Sequence, residues 1–287
     1  AGASPRVLTN FIFEYYGLGF SGDETLRFRI YRNDLSYGTN FSAPGQVLYD
    51  SGDFAIGATA GSTLMFDNIY VPVMTNFTWT VQFGGITEGD VRDLIHGCIF
   101  TRGPKDLHNT AVWIGGNNMS AGEQLLAMAQ DALFDPFRVS IMLDSNGSNT
   151  TAVAAVVKIE QALGDLKGKK VVVLAGTGPV GQRAAGLLAK DGANVTITSR
   201  KPEQGEKARQ FISARFNVQV EARTMADPAQ VAEVLDGVEV LLNSGAAGIQ
   251  MVSREAWRAQ KSLRIAVDLN AVPPLGIEGT GVNDSGE

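Results

Sequence analysis

The chain is 287 residues long, long enough for two domains at about 100–200 residues each. Its 44% hydrophobic and 19% charged content argues against wholesale disorder. A formal charge of −6 offers no basic footprint for nucleic acid, and no apolar run approaches the roughly 18 residues that a membrane helix needs. A single cysteine, Cys98, excludes an intramolecular disulfide framework. With only His96 and His108 to join it, a Cys/His metal cluster is not expected, and no metal is assigned.

The first 85 residues hold 16 of the 23 aromatics, all six tyrosines, four arginines and no lysine. Leu26 to Tyr31 alternates apolar and basic residues, and Phe77 to Phe83 alternates large apolar with small polar ones, as half-buried strands do. The clusters Ser42-Ala43-Pro44-Gly45 and Tyr49-Asp50-Ser51-Gly52 read as turns. Short strands at this spacing suggest part of a β-sandwich.

From about Gly84 helices and strands alternate. Ser120 opens a helical stretch with Leu125, Met128, Ala129 and Leu133 on its apolar face. Phe137 to Leu143 reads as a strand, Thr150 to Leu163 as an Ala/Val-rich helix, and Val171 to Ala175 as a buried parallel strand. Such alternation predicts a parallel sheet with helices on both faces. The expected fold is therefore α/β: a Rossmann-type doubly wound sheet (167–287) preceded by a partial α/β catalytic domain (86–166) and a β-rich segment (1–85). Thr151–Leu166 is expected to be the linking helix.

The segment Gly176-Thr177-Gly178-Pro179-Val180-Gly181 is a G-x-G-x-x-G motif between that strand and an Ala-rich helix. In this setting the first glycine permits the tight turn, the second lets the backbone approach a pyrophosphate, and the third lets helix and strand pack closely. The helix N-terminus presents unpaired N–H groups to the phosphate. The next strand, Asn194 to Thr198, ends at Ser199-Arg200-Lys201, where NAD sites carry an acidic residue for the ribose hydroxyl. A guanidinium and a hydroxyl suit an added phosphate instead, so the expected cofactor is NADP. Two further strands, Val238 to Asn243 and Ile265 to Asn270, run into loops of small residues, Ser244-Gly245-Ala246-Ala247-Gly248 and Ala271-Val272-Pro273-Pro274-Leu275-Gly276. Both belong beside the nicotinamide half of the cofactor, with Ala246 and Asn270 as candidate contacts. For Asp268 and Asn270, strand-end capping is an equal alternative.

Three stretches together carry a family resemblance: Gly97 to Gly103 with Ile114 to Glu123; Leu143-Asp144-Ser145-Asn146-Gly147-Ser148-Asn149-Thr150 leading through Leu166 to Lys170 into the glycine loop; and Asp268 to Ile277. They closely resemble the NADP-dependent methylene-tetrahydromethanopterin/methylene-tetrahydrofolate dehydrogenases of methylotrophic bacteria, over about residues 86–284. The resemblance implies a cytoplasmic, homo-oligomeric enzyme of one-carbon metabolism. It would transfer a hydride from the methylene carbon of a reduced pterin to NADP⁺ without metal or flavin, in a cleft between two domains. Asp144, Ser145, Asn146, Gly147 and Ser148 would line that cleft, with Thr101, Arg102 and Lys105 nearby. The same residue types from 144 to 148 also suit a turn and helix cap. No residue is assigned as catalytic, and Cys98 reads as a small core residue.

Two departures accompany the resemblance. The opening strand and helix of the family are replaced here by the aromatic stretch, in which Pro44 to Gly52 and Val71 to Val81 bear a lesser resemblance to secreted proteins of the PEP-CTERM type. The chain also stops before the family's lysine-bearing, Gly-rich C-terminal segment. A fusion or truncation is the expectation drawn from this. Three alternatives stand beside the dehydrogenase: a non-catalytic NADP-binding module, a chimera built around an extracellular β-module, and a Rossmann dehydrogenase of shikimate type.

Overall fold

A computed structural model describes residues 6–15, 20, 23–33, 35–36, 42–57, 62–67, 69–73 and 77–284. Two compact units emerge, one of Ala1–Ile114 with Ser120–Leu143, the other of Gly115–Met119 with Asp144–Glu287. Among the described residues no helix is long and apolar enough to cross a membrane.

The first unit opens with strands β1 (Arg6–Leu8), β2 (Phe11–Tyr15), β3 (Thr25–Arg32), β4 (Leu35–Ser36), β5 (Ser42–Ala43), β6 (Val47–Asp50), β7 (Phe54–Ala55), β8 (Ser62–Phe66), β9 (Val71–Val73) and β10 (Phe77–Gly84). β3 is the organising strand and pairs antiparallel with β10, β6 and β7. Its alternation is realised: Leu26, Phe28 and Ile30 are buried, while Arg27 and Arg29 lie on the other face. The Phe28 ring stacks on Phe11 of β2 at 4.1 Å and on Phe66 of β8 at 4.8 Å, so strands of separate ladders share one aromatic core. Tyr49 and Asp50, expected in a turn, belong to β6 instead, and Ser42-Ala43 forms the short strand β5. Asp50 is an unfavourable strand residue held in register by charge. It stands opposite Arg29 and lies 2.6 Å from Arg27 and 3.0 Å from Arg29. The Arg27 side chain is the main reason its carboxyl titrates far below the usual range.

The same unit continues with α1 (Val91–Ile99), β11 (Ala111–Ile114), α2 (Met119–Asp131) and β12 (Ser140–Leu143). β11 and β12 form a two-stranded parallel ladder. Val112, Ile114 and Ile141 pack toward Val91, Ile95 and Ile99 of α1 and Leu125, Met128 and Ala129 of α2. On the opposite face the register partners Trp113 and Met142 are 68% and 46% exposed. The expected strand Phe137–Leu143 is thus confined to its last four residues. Phe137 makes an isolated bridge to Phe134 and joins a ring cluster with Phe100 and Phe134.

The second unit contains α3 (Ser148–Leu163), β13 (Lys170–Leu174), α4 (Pro179–Lys190), β14 (Asn194–Ser199), α5 (Pro202–Phe216), β15 (Glu221–Thr224), α6 (Val231–Val234), β16 (Val240–Asn243), α7 (Arg254–Arg258) and β17 (Ile265–Asp268). The five strands are all parallel, in the order β15-β14-β13-β16-β17. Successive β13 residues serve opposite faces. Val171 and Val173 join the core under α3, α4 and α5, and Val172 and Leu174 join the core with Val231, Val234 and Leu235. Burial on both faces is why this strand carries an unbroken apolar run. The helix expected to act as a link is α3. It starts at Ser148, ends at Leu163, and packs its Ala152, Ala155, Val156 and Ile159 into the first of these cores.

Candidate active site

The strand order reverses at β13, which places a crevice beyond the carboxyl ends of β13 and β16, the usual ligand position in open α/β sheets. The glycine loop occupies it. A Cβ at Gly176 would lie 2.7 Å from Ile197 Cβ, and one at Gly181 would lie 2.5 Å from Ser244 Oγ and 2.8 Å from Gly176 Cα. Those two glycines are required by the protein's own packing. Gly178 is different. Its φ of −76° and ψ of 164° suit any residue, and a Cβ there would meet nothing nearer than Ala175 O at 3.9 Å. The protein leaves space on that side, at the first turn of α4, where Pro179 occupies the first helical position and no side chain of the N-cap residue caps the helix. The residues present therefore fit a pyrophosphate.

Hydroxyls and an amide hold this loop. Thr198 Oγ1 accepts from Ala175 N at 3.0 Å, and Thr198 O accepts from Gly176 N at 3.0 Å. Ser244 Oγ donates to Leu174 O at 2.8 Å, and Gln182 Nε2 donates to Thr177 O at 2.6 Å. At the end of β14, Ser199 is buried, and its hydroxyl donates to Lys201 O at 2.8 Å and accepts from Lys201 N at 3.2 Å. This is a change from expectation: the Ser199 hydroxyl shapes the turn, which leaves Arg200 and Lys201 exposed beyond it.

The loops after β16 and β17 are braced by side chains. Asp268 accepts from Asn243 Nδ2 at 2.8 Å, Asn270 N at 3.0 Å and Ile277 N at 2.8 Å. The buried Asn270 accepts from Gly248 N and Val272 N, both at 3.1 Å, and donates to Pro274 O at 3.2 Å. Asn270 thus ties the two small-residue loops together, and Ala246 stands exposed on the first of them.

The run from Asp144 to Ser148 divides by role. Asp144 is buried and accepts from Asn149 N at 2.9 Å, Thr150 N at 3.1 Å and Thr150 Oγ1 at 2.7 Å. Burial opposes its ionisation. The hydrogen bonds from Thr150 and Asn149, with the positive charge of Arg183, prevail and hold the carboxyl below its ordinary range. Ser145 and Ser148 are buried as well: Ser145 Oγ donates to Gly115 O at 2.8 Å, and Ser148 Oγ donates to Ser145 O at 2.9 Å. These three side chains, expected to face a substrate, instead build the turn and cap α3. Asn146 and Gly147 remain accessible, in successive left-handed conformations with φ of 57° and 61°. Thr101, Arg102 and Lys105 belong to the other unit. There Thr101 Oγ1 donates to Cys98 O at 2.8 Å, while Arg102 is half-buried and Lys105 exposed.

Comparison with known proteins bears on this arrangement. The family description "methylene-tetrahydromethanopterin dehydrogenase, N-terminal" matches residues 65–146, and an NAD(P)-binding family matches residues 163–277. The bifunctional protein MdtA of Methylorubrum extorquens is 45% identical over 206 residues, which span 71% of this chain and 72% of that protein. The NAD(P)-dependent methylenetetrahydromethanopterin dehydrogenase of the same organism is 31% identical over 222 residues, 75% of each chain. The chain belongs to the methylene-tetrahydromethanopterin dehydrogenase family. Among solved structures, the transhydrogenase from Sinorhizobium meliloti aligns with a TM-score of 0.38 at 21% identity, over 46% of this chain and 42% of that one. A dipicolinate synthase from Bacillus halodurans aligns with a TM-score of 0.37 at 20% identity, over 58% and 53%.

Within this family member, the residues that sequence reasoning missed are the braces: Thr198, Ser244, Gln182, Asn243 and Arg183. A hydroxyl at the end of a strand beside a glycine loop was the available signal for Thr198 and Ser244. Arg183 carried no signal, since its partner Asn149 lies 34 positions away.

Proposed function

We propose that this chain is an NADP-dependent dehydrogenase that oxidises methylene-tetrahydromethanopterin or methylene-tetrahydrofolate to the methenyl form. The observation that carries the reading is the open side of Gly178, set at a strand-to-helix turn in a chain of this dehydrogenase family. The backbone from Gly176 to Val180 holds the pyrophosphate, with Thr177 and Pro179 lining it. Arg200 and Lys201 hold the ribose phosphate, and their charge disfavours an enzyme selective for NAD. The Ala246 loop and the Asn270-braced loop flank the nicotinamide. Asn146 offers an amide and Gly147 a bare backbone to the planar pterin.

When bound, NADP⁺ supplies a hydride acceptor at its nicotinamide ring, and the methylene carbon that gives up hydride becomes the methenyl cation. The protein's part is to orient the two rings and to keep water from the cationic product. No side-chain base is needed, because hydride departure involves no proton at the reacting carbon. The test uses the purified full chain with NADP⁺ and each methylene-pterin, deuterated at the methylene carbon. NADPH formation with deuterium recovered in the nicotinamide is the expected result. Tight NADP⁺ binding without reduction by either pterin would overturn the reading.

A further inference from the structure

Arg183 lies in the second turn of α4, 4% exposed, with its charge inside the protein. A buried guanidinium is tolerated only where its donors are used and a countercharge is near. Its Nε donates to Asn149 Oδ1 at 2.5 Å and its Nη1 donates to Pro179 O at 3.0 Å. Pro179 O belongs to the first turn of the helix whose N-terminus faces the glycine loop. Asn149 belongs to the first turn of α3, and its own N–H is gripped by Asp144 at 2.9 Å. One planar side chain therefore grips two helix N-termini at once. The Arg183 charge is also among the influences that keep Asp144 ionised.

The segment between Asp144 and Asn149 gives this bridge its purpose. Asn146 and Gly147 sit in consecutive left-handed conformations, which asparagine and glycine adopt more readily than other residues. Asn146 N donates to Gly116 O at 2.6 Å, which fixes one end of the turn. Asn149, held by Arg183 and Asp144, fixes the other. Lysine cannot replace arginine here, because a single ammonium lacks the rigid fork that spans two acceptors on different helices.

We propose that Arg183 is a positioning residue that locks the Asn146–Gly147 turn to the first turn of the dinucleotide-binding helix, so that cofactor occupancy orders the substrate side. The proposal rests on the dehydrogenase reading for its kinetic arm only. Three variants test it: Arg183→Met, Arg183→Lys and Asn149→Ala. Asn149→Ala keeps the buried charge and serves if Arg183→Met fails to fold. The expected kinetic result is a loss of about 10–100-fold in kcat/KM for the pterin, the size of effect that a misplacement of about 1 Å produces, while the Kd for NADP⁺ moves by less than about threefold, under the 1.4 kcal/mol of a decade. Arg183→Met and Asn149→Ala combined should be no worse than the worse single variant, since both cut one link. Arg183→Lys should not rescue.

The second readout is amide hydrogen exchange across residues 144–150 with and without NADP⁺. Wild type should gain protection there when NADP⁺ binds, and Asn149→Ala should not. Losses that multiply, rescue by lysine, or the same NADP⁺-induced protection in the variants would overturn the proposal. If wild type reduces NADP⁺ with neither pterin, the functional reading falls and the exchange result alone decides: protection gained in wild type and lost in Asn149→Ala supports the lock, and its absence in wild type refutes it.

Discussion

Alanine at Gly178 and alanine at Gly181 should behave as opposites in one loop. At Gly178 the backbone angles already suit alanine, and the added Cβ meets only Ala175 O at 3.9 Å. Replacing glycine at a compatible site restricts the unfolded chain and stabilises by about 0.4–1 kcal/mol. For a unit of this size that is a rise of roughly 1–4 °C in Tm. The same methyl group fills the space through which a pyrophosphate reaches the backbone, so NADP⁺ affinity should fall by at least about tenfold, or 1.4 kcal/mol. At Gly181 the Cβ would sit 2.8 Å from the Gly176 backbone. Overpacking of this kind costs about 1–3 kcal/mol, so Gly181→Ala should lower Tm by several degrees and weaken binding as well. Thermal melts and NADP⁺ titrations of both variants separate the cases. Wild-type NADP⁺ affinity in Gly178→Ala would refute the pyrophosphate assignment. A melting point several degrees below wild type would show that the protein itself needs glycine there.

Three further outcomes follow from the geometry. Arg200→Ala should weaken NADP⁺ by about 10–100-fold, because charge-assisted hydrogen bonds contribute about 1.5–3 kcal/mol, and leave NAD⁺ binding unchanged; equal losses for the two nucleotides in parallel titrations would contradict this. Asp144 has a lowered carboxyl, so its contribution is fully present above the ordinary value of about 3.9 and is lost as pH falls below it toward the folded value. Asp144→Ala should cost about 0.5–2 kcal/mol as a lost cap, and melts between neutral and acid pH should show wild type converging on the variant only below about pH 4. Burial pushes the Cys98 thiol up, so alkylation at neutral pH should be slow until denaturant is added; stoichiometric labelling of the native chain would count against it.

The Rossmann sheet was legible because its signals are local. β13 is apolar from Val171 to Leu174 since both faces are covered, and two of the three glycines, Gly176 and Gly181, sit where a Cβ would clash. The alternation from Leu26 to Tyr31 likewise maps onto one buried and one open face of β3. What could not be read is what depends on register. Asp50 is a strand residue only because Arg27 and Arg29 stand across from it. The Asp144–Ser148 run mixes residues that serve equally as caps and as ligand contacts. Three of its side chains turned inward and two residues stayed open, and two of the bonds that hold the turn go to Gly115 and Gly116, 30 positions upstream. Ser199 shows the same limit, since composition placed a hydroxyl at the right strand end and the backbone of Lys201 claimed it.

The placement of the three tryptophans makes the chain its own spectroscopic instrument. Trp79 packs with the aromatic core around β3, Trp113 stands on the open face of the β11–β12 ladder, and Trp257 lies against the second sheet core, with its indole N–H on Glu278 O. Each fluorophore sits in a different region, two against a core and Trp113 on an exposed face. Variants that keep one tryptophan at a time would show emission from each region separately during denaturation. Coincident transitions would mean one cooperative molecule, and staggered ones would rank the regions by stability without any added label.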